Sequence, residues 1–502
     1  MSNAAGHGHI LTRMKNMKNF EAINVMTIRR RVIFSAAIFL FSLAIELFIA
    51  LPHLLQSMFY GVPATTSISE LLPLLGSSDA GSYLTAAVDL QDGSITPENQ
   101  WILNLWPPGM PVLLAVMIKV TGGASPIVPM VILICCLWSL VLVCVSWWII
   151  PRQGYLTLAV FAGLWIGSPA FTAWTTNNGV LGSDGLATAI SALVAIGLIS
   201  VGGTATAGKT RWVLFALLGM GLALLAYLRI IWFYAVPTAL GVLACIVAIR
   251  LIILWLSRRA GSPRRDRRRF IEWGVLAAVF LATCAPWTIF VGHVLHPGDY
   301  SWSQSDYQWA HLWMSDEYLV ANGAGFLETG GANWPCHIAA ERCKQLADIE
   351  LSAEYPYDGI DGSSFDTFRS EALATAYSHP VQFISDRTDF TLRTWLSTPG
   401  NAVGGFDNLF FGSLSLVLFL ASVGILIRDS IRRRAGSLLI FLLLGANIGV
   451  LWLTHFETRY VIPLQGISLV VCALWASKIE GRLWRRRPTG LHEGRHGRAA
   501  SL

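Results

Sequence analysis

The sequence predicts an all-α polytopic membrane protein with about ten transmembrane helices, a re-entrant or juxtamembrane segment and a large extracytoplasmic loop. Two observations lead to this fold class. Of the 502 residues, 54% are hydrophobic and only 13% are charged, whereas a soluble domain has about 25% charged residues. The apolar residues also form separate runs of roughly 20, the length that crosses a bilayer as a helix. The composition therefore excludes a single soluble domain.

Ten apolar runs are long enough to be transmembrane helices. The first follows a polar N-terminal segment, 1–32, and is typical of a signal anchor and not of a cleaved signal peptide. The run at 108–122 is shorter, begins with PPGMP and ends before GASP, so we interpret it as a re-entrant or surface-lying helix. The predicted spans are 33–51, 125–150, 155–175, 186–201, 212–228, 231–256, 271–291, 409–427, 437–454 and 461–477.

The orientation follows from the Lys and Arg residues of the short loops, which favour the cytoplasmic side. Basic runs occur at 29–31, 258–269 and 431–436, and in the tail 478–502. With 108–122 left uncounted as a span, all of them fall on one side of the membrane. The sequence therefore predicts a multi-pass protein of the bacterial inner membrane with both termini in the cytoplasm.

The same count divides the chain into regions. The transmembrane module 33–291 contains a first outer loop at 52–107, and the helices of 401–477 complete the bundle. Between them, 292–400 is predicted to be extracytoplasmic, with fifteen Asp and Glu against five Lys and Arg. Cys336 and Cys343 lie in this region. A disulfide between them and two free thiols are both left as alternatives, and the spacing of the two cysteines disfavours a zinc site. The helix predicted after Pro380 is amphipathic and is expected on the membrane surface.

Two acidic residues are predicted at the outer edge of the bundle. Asp79 lies in the first outer loop, with Tyr83 one helical turn later on the same face. Asp184 stands in GSDGLA, directly before an apolar run. Each carboxylate could take a proton from an acceptor hydroxyl, and each could equally be the cap of a helix. From the residues alone, both readings stay open.

Arg229 interrupts the long uncharged stretch between Arg211 and Arg250. An Arg at membrane depth costs about 2.5–3.5 kcal/mol on insertion scales and is usually functional or paired. Phosphate binding and an interfacial Arg that snorkels between two helices are therefore equal alternatives.

The last outer loop, HFETRYVIP, is a short hairpin that carries His455, Glu457, Arg459 and Tyr460. Arg459 could bind a phosphate through two hydrogen bonds, and Glu457 could orient it; the alternative is a surface ion pair of little consequence. Trp106, in NLWPPGMP, is expected at the outer interface beside a rigid turn.

Taken together, these segments resemble the GT-C superfamily of membrane glycosyltransferases, in particular the aminoarabinose transferases acting on lipid A and the protein O-mannosyltransferases. The resemblance covers roughly 30–290 and 375–475, and its motifs occur in the family's order. Leu105 and Trp106 depart from the pattern, since relatives often carry an acidic-Lys pair there. The matching features are Asp79 with Tyr83, WPPGMP, Asp184 in GSDGLA, Arg229, and Glu457, Arg459, Tyr460 and Pro463.

The resemblance implies a GT-C-like bundle that transfers a sugar, with inversion, from a polyprenyl-phosphate donor to a hydroxyl acceptor on the outer membrane face. The residues fit this expectation. Asp79 is the first candidate for the base and Asp184 the second. Arg229 and Arg459 are expected to stabilise the leaving phosphate. We expect no metal and no other cofactor, because the donor has no diphosphate to neutralise.

The acceptor is expected to be an envelope glycolipid, polysaccharide or protein, and nothing indicates a nucleic acid. Two other classes of protein compete with this interpretation. A lipid-linked sugar transporter or flippase would carry charges near the bilayer midplane and repeated halves, and neither is visible in the sequence. A non-catalytic envelope assembly factor would need the pocket but not the chemistry of Asp79.

Overall fold

In the part of the chain that the computed structural model describes, almost every residue is helical. No β-strand occurs in the part of the chain that it covers. The described residues are 30, 32–51, 66–75, 79–93, 103, 107–167, 181–203, 209–256, 263–295, 370, 373–374, 376–378, 379–396, 405–432, 434–453 and 458–485.

The principal helices are numbered here in chain order. They are α1 (Val32–Leu51), α2 (Ile68–Leu75), α3 (Asp79–Asp92), α4 (Gly109–Val120), α5 (Ile127–Ile149), α6 (Tyr155–Ile166), α7 (Asp184–Gly203), α8 (Lys209–Leu228), α9 (Ile230–Leu256), α10 (Pro263–Phe290), α11 (Pro380–Leu396), α12 (Gly405–Ile431), α13 (Ala435–Leu453) and α14 (Ile462–Arg485).

Nine of these helices are long and apolar enough to cross a membrane: α1, α5, α7 to α10, and α12 to α14. The all-α polytopic fold class is therefore confirmed. The predicted span 155–175 corresponds to α6, which has 12 residues, and its remaining positions from 168 onward lie outside the described residues. Helix α4 also has 12 residues, about 18 Å in length. It is short, as the sequence predicts, and its position relative to the bilayer stays a prediction.

Helices α7 and α8 are antiparallel neighbours. Gly197 of α7 lies against Leu218 of α8, and Val194 lies against Gly221. Glycine at these positions lets the two helices approach closely, as is common in membrane bundles. The start of α7, and thus Asp184, therefore lies at the level where α8 ends.

Helix α10 runs parallel to α8. The Arg211 guanidinium contacts the Glu272 carboxylate at 2.8 Å, and further along both helices the Tyr227 hydroxyl donates to the Thr283 carbonyl oxygen at 2.8 Å. The two helices therefore run in the same direction. Helix α9 connects them and must run back between the two ends. The junction of α8 and α9 is therefore the tip of a helical hairpin.

Helix α14 runs parallel to α7. Near their starts the Ser191 hydroxyl donates to the Pro463 carbonyl oxygen at 3.1 Å. Near their ends, the Trp148 indole donates to the Ser200 hydroxyl at 2.7 Å, and the Lys478 ammonium lies 5.8 Å from the Trp148 ring centroid. The bundle therefore has two distinct ends, which we name the Asp184 end and the Lys478 end.

Helix α11 is amphipathic, as the sequence predicts. Most of its described residues are exposed, whereas on its buried face Arg387 is completely buried and Trp395 packs on Phe419 with ring centroids 4.5 Å apart. Arg387 donates to the carbonyl oxygens of Trp452 at 2.7 Å and Leu451 at 2.8 Å, which are in the last turn of α13 and lack intrahelical partners. The buried face of α11 therefore packs on α12 and on the end of α13, and its placement on the membrane surface stays a prediction.

Burial lowers the pKa of Arg387 to about 9 because desolvation disfavours the charged form. The guanidinium is therefore still a cation at neutral pH.

Several predictions concern residues outside those described. They include most of the loop 292–400, the pair Cys336 and Cys343, the hairpin residues 454–457 and the end of the basic tail, 486–502. These stay predictions.

Glu46 is a fully buried carboxylate in α1. It accepts hydrogen bonds from the Ser42 hydroxyl at 2.8 Å and from the Ser139 hydroxyl of α5 at 2.9 Å. A buried acidic group needs such partners, and here they join the first span to the bundle.

We expect Glu46→Ala to lower the free energy of unfolding by about 2 kcal/mol. The substitution removes one hydrogen bond within α1 and one between α1 and α5, and it leaves a cavity. Glu46→Gln keeps an oxygen acceptor and should stay close to wild type. Unfolding by SDS titration in mixed micelles measures both variants. Equal destabilisation by the two substitutions would contradict this role of the carboxylate oxygens.

Candidate functional site

Asp184 is the first residue of α7. The Ser183 carbonyl oxygen accepts from the Ala187 N–H at 2.9 Å, and the Asp184 carbonyl oxygen accepts from the Thr188 hydroxyl at 2.8 Å. A carboxylate in the first helical turn is stabilised by the helix dipole. The helix thus begins where the sequence predicts. The side-chain carboxylate of Asp184 takes no part in these two backbone contacts and contacts another part of the chain.

Arg229 is the single residue between α8 and α9. Its N–H donates to the Leu225 carbonyl oxygen at 2.8 Å, and its own carbonyl oxygen accepts from the Trp232 N–H at 3.0 Å. The first bond belongs to the last turn of α8 and the second to the first turn of α9. The backbone of Arg229 is therefore hydrogen-bonded to both α8 and α9, and these two bonds fix the position of Arg229 at the hairpin tip.

The structure brings Asp184, Arg229 and Tyr460 together. Nη2 of Arg229 forms an ion pair with Oδ1 of Asp184, and the guanidinium carbon lies 4.9 Å from the centroid of the Tyr460 ring, within cation–π range. Asp184 is 3% exposed and Arg229 is 7% exposed. The snorkelling alternative for Arg229 is therefore wrong, since its guanidinium is buried between a carboxylate and an aromatic ring.

One hydrogen-bond donor of this cluster has no acceptor among the described residues. Nε of Arg229 is buried and has no hydrogen-bond partner among the described residues. Buried donors of native proteins are nearly always satisfied by protein, water or a ligand. Among the described residues, the Arg229 guanidinium therefore has one N–H without an acceptor, which an anionic or polar ligand could accept from.

Two tryptophans contact the first turn of α7, directly or through one another. The Trp138 indole N–H donates to the Gly185 carbonyl oxygen at 3.1 Å, and the Trp165 indole N–H donates to the Trp138 carbonyl oxygen at 3.1 Å. Their ring centroids are 4.3 Å apart. Sequence reasoning missed both residues, because a Trp within an apolar span carries no signal that distinguishes a positioning role from ordinary packing.

The turn before α4 packs against the hairpin tip. Gly109 lies against the backbone of Tyr227, two residues before Arg229, with no room for a Cβ atom. This explains the glycine in PPGMP, because only glycine allows such a close backbone approach. The turn that follows the Pro-Pro element therefore packs on the last turn of α8, the helix that ends directly before Arg229.

Helix α3 covers the same end of the bundle. Its Ala86 packs in a small apolar cluster with Leu103 and with Val291, which follows α10. Tyr83 is buried at 2% exposure within the main core. It is therefore part of the packed wall near the Asp184 end and is not at the solvent surface.

Asp89 of α3 was missed by sequence reasoning. Burial, and then the nearby Asp92, raise the pKa of its carboxyl group above the usual value, because both disfavour the negative charge. Perturbed carboxyl groups cluster at functional sites. Helix α3 therefore offers a second acidic group besides Asp79 at this end.

The remaining predicted site residues have only part of their structure described. Asp79 begins α3 as predicted, and the backbone of Arg459 lies in the short 3-10 helix Thr458–Val461; the side chains of both lie outside the described part. Trp106, His455 and Glu457 are not among the described residues.

Among the residues that the structure describes, no group of three His, Cys, Asp or Glu side chains is placed to hold a metal ion. No protein-family model matches the sequence, and no curated protein is significantly similar to it. The arrangement of Asp184, Arg229 and Tyr460 is therefore the main evidence on which a function can be argued.

Proposed function

We propose that this protein is a GT-C-like glycosyltransferase of the bacterial inner membrane that moves a hexose or pentose from a polyprenyl-phosphate donor to a hydroxyl of an envelope glycolipid, polysaccharide or protein. The observation that carries the proposal is the buried Arg229 guanidinium, held by Asp184 and Tyr460, with one N–H that no described residue accepts from. Arg229, Asp184 and Tyr460 lie together at the bundle end opposite Lys478. The proposed active site faces the periplasm, with both termini in the cytoplasm.

A phosphate leaving group suits the Arg229 site. Guanidinium groups bind phosphate oxygens through charge-assisted hydrogen bonds. A donor that is already buried and fixed in place stabilises developing charge without rearrangement when the bond breaks. In this proposal Arg229 binds the phosphate of the lipid donor, and Arg459, whose backbone lies in the 3-10 helix next to Tyr460, is the second candidate cation for it.

The ion pair divides the roles of the two acidic residues. Asp184 is engaged by Arg229 and so serves as a positioning residue, held in turn by Trp138 through Gly185. Asp79, at the start of α3, is the proposed base. The acceptor oxygen attacks the anomeric carbon and its proton passes to Asp79. The bond from that carbon to the phosphate oxygen breaks, and the lipid phosphate leaves with the electron pair.

We expect Asp79→Asn to lower the rate of sugar transfer by about a hundredfold or more, the usual contribution of a general base. The assay uses full-length protein in vesicles, a panel of radiolabelled polyprenyl-phosphate hexoses and pentoses, and envelope extract as acceptor. Asp92→Asn is the matched control, since Asp92 is an exposed carboxylate in the same helix; it should stay within about twofold of wild type.

Two outcomes would contradict the proposal. Full activity of Asp79→Asn would remove Asp79 as the base. Movement of labelled lipid across the vesicle membrane with no covalent product in any acceptor fraction would show a transporter or flippase in place of a transferase.

A further inference from the structure

Four cations converge at the Lys478 end of the bundle, far from Arg229 along the helices. Arg152 follows α5, Arg428 lies near the end of α12, Arg434 precedes α13, and Lys478 lies near the end of α14. Lys478 interacts electrostatically with each of the three arginines. We refer to these four residues as the basic cluster. It draws on three separate parts of the chain, since Arg428 and Arg434 flank the same short connection, so the fold assembles it.

The basic cluster surrounds one buried carboxylate. Asp429 is 5% exposed and contacts Arg434 at 2.6 Å between Oδ2 and Nη1, and Arg428 at 3.3 Å between Oδ1 and Nη2. The nearby Glu480 carboxylate is engaged at the start of α6, where it accepts from the Thr157 hydroxyl at 2.6 Å. Positive charge therefore exceeds negative charge here, and like charges held together raise the local affinity for an anion.

Two tryptophans place the cluster at the depth of lipid headgroups. The Arg152 guanidinium lies 4.4 Å from the Trp148 ring centroid, and the Arg428 guanidinium lies 5.4 Å from that of Trp475. Trp148 stands near the end of its span, where Trp is enriched at membrane interfaces, and Trp475 is two residues before Ser477, which contacts Gly154 just beyond α5. The side chains of Arg428 and Arg434 are 43% and 42% exposed, so their guanidinium groups are open to a ligand from the interface.

We propose that the basic cluster is a binding site for the phosphate group of an anionic phospholipid. Arginine presents paired N–H donors that match phosphate oxygens, and the two indole rings offer apolar surface to the glycerol and upper acyl chain. A free phosphate shares the charge but uses neither ring. The site is independent of the proposed glycosyltransferase activity, because it shares no residue with the Asp184 end.

The experiment measures lipid binding to the full-length protein in detergent by native mass spectrometry. The probes are phosphatidylglycerol, zwitterionic phosphatidylcholine of the same acyl chains, and inorganic phosphate. A basic residue near an anionic lipid surface contributes roughly fivefold to affinity. The variant Arg152→Gln/Lys478→Gln should therefore weaken phosphatidylglycerol binding about thirtyfold, and it leaves both ion pairs of Asp429 intact.

Two further variants keep the test decisive. Arg428→Gln should weaken binding about fivefold and retains the Arg434–Asp429 pair, so it serves if the double variant does not fold. Lys119→Gln removes an exposed cation at the end of α4 and should change nothing. The proposal is wrong if the cluster variants bind phosphatidylglycerol like wild type, or if phosphatidylcholine binds equally well. If inorganic phosphate binds as tightly as the lipid, the site takes free phosphate and the lipid assignment fails.

Discussion

Arg229→Gln is expected to lower the free energy of unfolding by about 3–5 kcal/mol, since removing one member of a buried ion pair leaves the other charge uncompensated. Here the residue left behind is Asp184, which is 3% exposed. The same substitution should abolish sugar transfer, because it removes the proposed phosphate-binding cation. SDS titration in mixed micelles measures the stability, and the vesicle assay measures transfer.

A double variant separates the two effects. Asp184→Asn/Arg229→Gln removes both charges and should recover stability to within about 1–2 kcal/mol of wild type, because replacing both members of a buried pair is often nearly neutral. Transfer should remain lost. If the double variant regains transfer together with stability, Arg229 is a structural residue and has no part in phosphate binding.

The other end of α8 offers a matched control. Arg211 pairs with Glu272, which is 2% exposed, at 2.8 Å. Arg211→Gln should also destabilise the protein, because it too leaves a buried carboxylate without its cation. The folded fraction should retain transfer, since Arg211 lies at the opposite end of the helix from the proposed site.

Gly436→Ala is expected to lower both the stability and the rate of transfer. A Cβ atom at this position would collide with the backbone carbonyl oxygen of Leu198 in α7, and a backbone atom cannot move aside as a side chain can. Overpacking of this kind costs about 1–3 kcal/mol. Because α7 also carries Asp184, the displacement should lower the rate of transfer as well as the stability.

Gly445→Ala, in the same helix α13, is the control. Nothing lies within 4 Å of a Cβ atom built there, and alanine is favoured over glycine in a helix by about 0.5–1 kcal/mol. This variant should be as stable as wild type or slightly more so. Thermal unfolding followed by light scattering compares the two, and similar melting temperatures would refute the close approach of α7 and α13.

The sequence predicted the fold class well because each span is a nearly continuous apolar run, and the need to satisfy every backbone group in lipid leaves helices as the solution. It also predicted that Asp184, Arg229 and Tyr460 lie at one end of the bundle. The number of predicted spans between these residues was enough for this, because residues separated by an even number of spans lie on the same side of the membrane.

The sequence could not predict which of these residues touch. That Arg229 pairs with Asp184 depends on the antiparallel packing of α7 and α8, which is set by glycines such as Gly197 and Gly221 facing the opposite helix. Periodicity shows that α11 is amphipathic, but it does not show what contacts its buried residues. The end of α13 accepts the hydrogen bonds of Arg387.

The one-residue junction at Arg229 also bears on biogenesis. With no loop between them, α8 and α9 must enter the bilayer from the translocon as one hairpin. If the site end is periplasmic, as proposed, Arg229 leads the hairpin through the hydrocarbon, where an isolated charge is costly. Asp184 is synthesised earlier, in α7. The carboxylate is thus already made when the guanidinium arrives, and the order of synthesis supplies Arg229 with its counter-ion during insertion.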